Sequence, residues 1–189
     1  MAYSKRAKNE AELAAFMEYR VKTLGGDRLA YVPVVASESR GLVLHYTLNN
    51  QLLLDWMLMD AGAQYFGYCS DITRSWPLNG QFSHPQAKLY EAVLRVQTGC
   101  QRAISELWMD PRMTFGLLNE LAVYLTLMEL KNLGFKRVEA NISRWFPHSI
   151  GHHLGLDLHD STDDDQMRLL VPGNVITIEP GLYIPINDL

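Results

Sequence analysis

Two aspartates, a histidine cluster and one glutamate are the residues whose types and spacing could do chemistry together. Asp60 and Asp71 flank the run Ala61-Gly62-Ala63-Gln64-Tyr65-Phe66-Gly67-Tyr68-Cys69-Ser70. A tight turn at Tyr65-Phe66 would pair Gln64 with Gly67 and set Asp60 opposite Asp71. Directly opposed residues have Cβ atoms roughly 5 Å apart. Two carboxylates that close repel unless a proton or a cation lies between them. The plain alternative is two hairpin-end aspartates in solvent.

Four of the six histidines fall in the segment Pro147-His148-Ser149-Ile150-Gly151-His152-His153-Leu154-Gly155-Leu156-Asp157-Leu158-His159-Asp160. Neutral imidazole is a common metal ligand and a proton carrier near neutral pH. A lone inward histidine is usually a satisfied core residue. Four together, with glycines allowing close backbone approach, point to a site. His153, next to His152, is expected to point away and to be structural or exposed. In Val175-Ile176-Thr177-Ile178-Glu179-Pro180-Gly181 an acid ends a β-branched run. Pro180 forces Glu179 into extended geometry and stops the ladder there, presenting a carboxylate at a strand end. The alternative is a rim glutamate before a turn.

Asp, Asp, His and Glu from separate segments form a hard oxygen set with one imidazole, suited to Mn²⁺, Co²⁺, Zn²⁺ or Fe²⁺. Carboxylates able to bridge suggest a two-metal centre, with ions about 3.5–4 Å apart that polarise a carbonyl and activate a water. The sequence has no Gly-rich phosphate loop, no Gly-x-Ser-x-Gly elbow and no Cys-x-x-Cys.

The elements that must position these residues can be read from periodicity. Leu13, Phe16, Met17, Val21 and Leu24 recur at helical spacing, with Asn9 and Glu12 as a capping box and Gly25-Gly26 as the stop. Ser83, Pro85 and Gln86 open a second helix. A third follows Thr114 and ends before Gly134. Strand-like stretches are 31–36, 42–46, 52–60, 67–73, 175–178 and 182–184. Helices alternate with pairs of strands, which predicts an antiparallel or mixed α+β domain.

The 189 residues suit one domain, spanning 1–189, and an apolar share of 48% with a charged share of 20% is an ordinary globular balance. Lys plus Arg is 17 against 21 Asp plus Glu, a net charge of -4, which argues against nucleic acid or an anionic membrane as partner. No apolar run approaches the roughly 18 residues of a membrane span. Lys5, Arg6 and Lys8 are followed by no apolar run, so no secretory signal is read and the chain is expected not to be secreted. Cys69 and Cys100 are too few for a disulfide framework, which suggests a reducing compartment.

At these residues the chain resembles the pita-bread metallopeptidases (creatinase/aminopeptidase-like), most closely aminopeptidase P, the Xaa-Pro aminopeptidases. The resemblance runs from Glu10 to Leu189. It rests on Leu44-His45-Tyr46, on Asp60-Ala61-Gly62 with Ser70-Asp71-Ile72-Thr73-Arg74, on His148 to Asp160, and on Ile178-Glu179-Pro180-Gly181. Ala30-Tyr31-Val32-Pro33-Val34-Val35-Ala36 and Trp76-Pro77 look most like the mitochondrial eukaryotic branch. The resemblance implies that Asp60 holds one metal, that Asp71 bridges two, and that His152 and Glu179 bind the other, usually manganese. Glu179 is also implied as a candidate general base. His45, His148 and His159 match histidines that line the substrate site and stabilise or shuttle protons.

The implied activity is release of an N-terminal residue that precedes proline. The partners are then peptide or protein N-termini with proline in second position, with a possible homo-oligomer. The implied location is mitochondrial, with the cytoplasm as the alternative. A bond to proline is a tertiary amide without N–H, so a site built around the ring and a free amino terminus suits it. The alternatives are a prolidase-type Xaa-Pro dipeptidase and a non-catalytic pita-bread fragment. The second is kept because the family's fifth ligand, a glutamate in an Arg-x-Glu-Asp strand, has no match here. The chain is accordingly expected to be a pita-bread domain truncated before its last strands and lacking the family's amino-terminal domain. Leu54 to Asp60 is shorter than the family's usual approach, and a distorted strand at Asp60 is expected.

Overall fold

Helix-start signals carry through into the structure, a computed structural model that describes residues 3–106, 112–160 and 167–188. It divides into two compact units, Met1–Phe82 with Leu154–Leu158, and Ser83–His153 with His159–Leu189.

In the first unit, α1 (Glu10–Thr23) starts at Asn9, whose side chain accepts from the Glu12 N–H. Glu12 does not return the bond to Asn9 as a full capping box would. Its Oε2 accepts from Lys8 N at 2.9 Å, one residue further out. The helix ends at Leu24, followed by Gly25 at φ +94, the left-handed geometry that glycine adopts without a Cβ penalty. Six short strands follow: β1 (Arg28–Leu29), β2 (Val34–Ser37), β3 (Trp56–Ala61), β4 (Ala63–Tyr65), β5 (Tyr68–Cys69) and β6 (Ile72–Pro77). They make two antiparallel sheets, ordered β2-β3-β6 and β1-β4-β5.

One face of the β2-β3-β6 sheet presents Val35, Met57 and Trp76 to Leu13 of α1. Val34, Ala36 and Leu58 gather with Tyr46 in a second cluster. Burying each large apolar side chain contributes roughly 1.5–3 kcal/mol.

The turn of the hairpin falls at Phe66-Gly67, with both residues at positive φ (48 and 83), the geometry that matches strand twist in a two-residue hairpin. This corrects the expected register by two residues. Asp60 pairs with Thr73, Gln64 with Cys69 and Tyr65 with Tyr68. A slip of two keeps every side chain on its face, so Asp71, two residues from Thr73, still shares the face of Asp60. The strand carrying Asp60 is also undistorted: Asp60 pairs with Val34 on one side and Thr73 on the other.

Residues 42–46 are not a strand. Residues Glu38–Leu42 form a 3-10 turn, with Glu38 at φ 54. The β-branched and apolar character of Val43 and Leu44 reflects exposed side chains, not a ladder.

The second unit is built on α2 (His84–Ser105), α3 (Phe115–Asn132) and α4 (Val138–Trp145). Ser83 and Gln86 complete a reciprocal capping box, with Pro85 in the first turn. Thr114 caps α3. The short α4 has no side-chain cap and begins after Arg137 at φ 54, so sequence signals did not reveal it. Val96, Cys100, Phe115, Leu118, Ala122, Phe146 and Ile150 form its core, with Ile176 and Ile178 against them. Leu130, Val138 and Trp145 form a second cluster that takes Leu182 and Ile184.

The expected strands 175–178 and 182–184 carry no ladder of their own among the described residues. The former meets 150–153 through the His153↔Ile176 bridge and through Thr177 N→His152 O (2.9 Å) and Glu179 N→Ile150 O (2.8 Å). Residues Ile186–Asp188 make a 3-10 turn, and the Asp188 carboxylate accepts from Trp145 Nε1 at 2.9 Å. Leu189 lies outside the described residues. No helix among the described residues is long and apolar enough to cross a membrane.

Candidate metal centre

In the first unit, Asp60 and Asp71 converge on a residue that sequence reasoning did not assign to the site. The Tyr31 hydroxyl donates to Asp60 Oδ1, and it lies 2.9 Å from Asp71 Oδ1. Tyr31 is held there by backbone: Ala30 N donates to the Gly62 carbonyl at 2.9 Å. A Cβ on Gly62 would fall 1.6 Å from the Ser70 carbonyl oxygen and 3.0 Å from Tyr31 Cε1, so no larger residue fits between them. The glycine of Asp60-Ala61-Gly62 is thus what lets hairpin and tyrosine close up.

A phenol has one hydrogen to give, and two carboxylates compete for it. Burial pushes the Asp60 carboxyl up to about 6 from 3.8, with Tyr31 pulling down and the Asp71 charge adding to the rise. Burial and the same two carboxylates push the Tyr31 hydroxyl far above its usual range. The phenol therefore keeps its proton. Thr73 also bonds Asp60, and two carboxylates brought together in this way are oxygen ligands of the type a hard cation takes.

In the second unit, His152 Nδ1 sits 2.8 Å from the His153 carbonyl oxygen. A carbonyl only accepts, so this bond puts the ring hydrogen on Nδ1 and leaves Nε2 as the acceptor nitrogen, the form in which histidine binds metal. Nε2 lies 3.3 Å from Glu179 Oε1. Thr177 orients both partners. Its Oγ1 accepts from His152 N at 3.0 Å and donates to Glu179 Oε1 at 2.8 Å. Gly151 permits this crossing, since a Cβ there would fall 2.1 Å from the Thr177 carbonyl oxygen.

His159 stacks edge-on against His152, centroids 4.4 Å apart. His148 is gripped between Phe146 (5.1 Å) and Tyr183 (5.4 Å), both edge-on, with its Nδ1 2.8 Å from the Ser149 carbonyl. A cleft of about 360 Å³ beside it is lined by Asn119, Val123, Ile142, Phe146 and Pro147. His153 is buried, as the structural reading expects and the exposed one does not, with its ring edge-on to Phe115 at 5.2 Å. His45, on a loop of the first unit, is exposed.

The model of metallopeptidase family M24 matches residues 1–188. The chain belongs to metallopeptidase family M24. Its M24 relatives include Intermediate cleaving peptidase 55 of Saccharomyces cerevisiae, 43% identical over 187 residues, covering 97% of this chain and 36% of that protein. Xaa-Pro aminopeptidase 3 of Homo sapiens is 43% identical over 198 residues, covering 100% of this chain and 38% of that one. Among solved M24 structures, the crystal structure of Icp55 from Saccharomyces cerevisiae superposes with a TM-score of 0.89 at 42% identity, over 98% of this chain and 47% of that one. The α+β fold is therefore the pita-bread fold of M24 aminopeptidases. The chain spans less than half the length of these relatives, and membership in M24 implies a divalent metal.

Proposed function

We propose that the chain, as one metallopeptidase domain over 1–189, carries the catalytic machinery of a metal-dependent aminopeptidase that releases an N-terminal residue preceding proline. Its substrates are peptide or protein N-termini with proline in second position, and its location is mitochondrial. Asp60, Asp71, His152 and Glu179 would hold two divalent ions, Mn²⁺ by resemblance. The observation that supports this most is the pairing of His152 with Glu179: Nδ1 is tied to the His153 carbonyl, and Nε2 lies 3.3 Å from Glu179 Oε1. An imidazole nitrogen and a carboxylate oxygen at that distance are a ligand pair of the kind divalent ions take, and Asp60 and Asp71 around Tyr31 add two more carboxylates.

Ions bound there would polarise the scissile carbonyl and lower the pKa of a bound water. The remaining work falls to side chains. Glu179, oriented by Thr177, would take the proton of the attacking water and hand it to the leaving proline nitrogen. His148 keeps its Nδ1 hydrogen on the Ser149 carbonyl and is braced by Phe146 and Tyr183, so it can contact substrate without moving. His159 beside His152, and His45, are assigned to substrate contact and proton movement.

The test is release of the first residue from an Xaa-Pro-Pro peptide by the whole protein with Mn²⁺. Activity should fall on the order of a thousandfold or more in Asp71→Ala, since several kcal/mol of barrier lowering is lost. A parent that releases nothing, or a variant equal to its parent, removes the proposal. Cleavage of Gly-Pro but not Gly-Pro-Pro would assign it to dipeptide hydrolysis instead.

A further inference from the structure

Among the described residues of the first unit, one buried charge has no part in the chemistry above. Glu10, in the first turn of α1, has 0% of its surface exposed. A carboxylate out of water is tolerated only when charge and hydrogen bonds compensate it. Its compensation comes from one stretch of chain. Oε1 accepts from Ser37 N (3.2 Å) and Arg40 Nε (2.7 Å). Oε2 accepts from the Tyr46 hydroxyl (2.8 Å) and Gln51 N (3.0 Å). In chain order these donors mark the entry of the loop, two points inside it, and its exit.

Other bonds close the same loop. Glu10 N donates to the Gln51 carbonyl at 2.9 Å, and Arg40 Nη2 to the Leu52 carbonyl at 2.8 Å. Asn49 accepts from Val35 N at 2.8 Å and donates to the Pro33 carbonyl at 2.7 Å. Between the Arg40 and Tyr46 anchors the chain runs outward, exposing Val43, Leu44 and His45. His45 is thus a solvent-facing imidazole whose next residue is fixed to a buried carboxylate.

An apolar residue at position 10 could fill the space under α1. Only a carboxylate fixes four donors at once, so its specific effect is on where the loop sits. We propose that Glu10 is a positioning residue for His45: the buried carboxylate presets the loop so that the imidazole is in place before substrate arrives. This rests on the reading of His45 as a substrate-contacting histidine.

The test is a double-mutant cycle in the whole protein, measuring kcat/KM on an Xaa-Pro-Pro peptide with Mn²⁺. Glu10→Gln keeps the shape but turns an amide hydrogen pair onto donors that need an acceptor. It should lower kcat/KM on the order of tenfold or more, because small misplacements of a catalytic group are costly. His45→Ala should do the same. The double variant should be no worse than His45→Ala alone, while Mn²⁺ affinity by calorimetry stays at the parental value in Glu10→Gln. Additive losses, or a Glu10→Gln variant with lower melting temperature but parental kcat/KM, overturn the inference and leave Glu10 a structural staple. If Glu10→Gln does not fold, Tyr46→Phe removes the one donor next to His45 while keeping the ring, and the same non-additivity decides. Parental activity in His45→Ala overturns the inference together with the reading of His45. Loss in His45→Ala with a parental Glu10→Gln overturns the inference alone.

Discussion

The hairpin that carries Asp60 and Asp71 and the crossing that carries His152 and Glu179 meet the same difficulty in different ways. Each must hold lone pairs close together in a partly dry place. In both, a glycine lets backbone pass where a Cβ would collide: Gly62 against Ser70 and Gly151 against Thr177. The hairpin then spreads one phenolic hydrogen over two acids. The crossing uses a hydroxyl with a fixed direction, accepting from His152 N and donating to Glu179. One half shares a phenolic hydrogen between two carboxylates; the other gives the Thr177 hydroxyl one donor and one acceptor. Closely placed acceptors are thus a common feature, and the manner of restraining them is local.

The comparison can be broken at the glycines first. Gly62→Ala should cost about 3 kcal/mol or more, since overpacking against backbone cannot be relieved by a side-chain rotation. Gly151→Ala, with a longer clash distance of 2.1 Å against 1.6 Å, should cost less. Urea unfolding of each variant measures both, and equal costs would remove the ranking.

The shared-proton half and the directed half should separate next. Tyr31→Phe should weaken metal binding about 10–100-fold, the range for groups that orient ligands. Thr177→Val should weaken it less, because His152 keeps its bond to the His153 carbonyl. Calorimetric Mn²⁺ titrations rank the two, and the reverse order would mean that the crossing depends more on its orienting hydroxyl.

The two halves differ in pH response as well. In chelator-treated protein the Asp60 carboxyl is raised by burial to about 6 from 3.8. Between those values the folded state binds more protons than the unfolded chain, so stability falls as pH rises from about 4 to 6. Asp60→Asn, which carries no charge, should therefore gain on its parent at pH 7 relative to pH 4. Urea midpoints in chelator at the two pH values check this, and an unchanged difference would show that Asp60 titrates as an ordinary surface acid.

Much of this was legible in the chain because the signals were local. Asn9, Ser83 and Thr114 announce helices through bonds to residues three positions on. The common face of Asp60 and Asp71 survived a two-residue error in register because side chains alternate with period two. Tyr31 was not assigned, since its partners lie 29 and 40 residues away and nothing in an aromatic within an apolar run marks a hydrogen bond to an acid. The same distance hid the four donors of Glu10. Residues 42–46 look like a strand because β-propensity reads residue type alone, and Val43 and Leu44 carry that signal although their side chains are exposed and unpaired in a ladder.

Cys100 has a practical consequence. It lies in the core of the second unit, and burial pushes its thiol up to about 11, so at neutral pH it is protonated and walled off. Alkylation there must wait for that core to open, whereas half-buried Cys69 belongs to the other unit. Timing the two modifications by mass spectrometry would give a separate clock for each half of the molecule, with no label introduced.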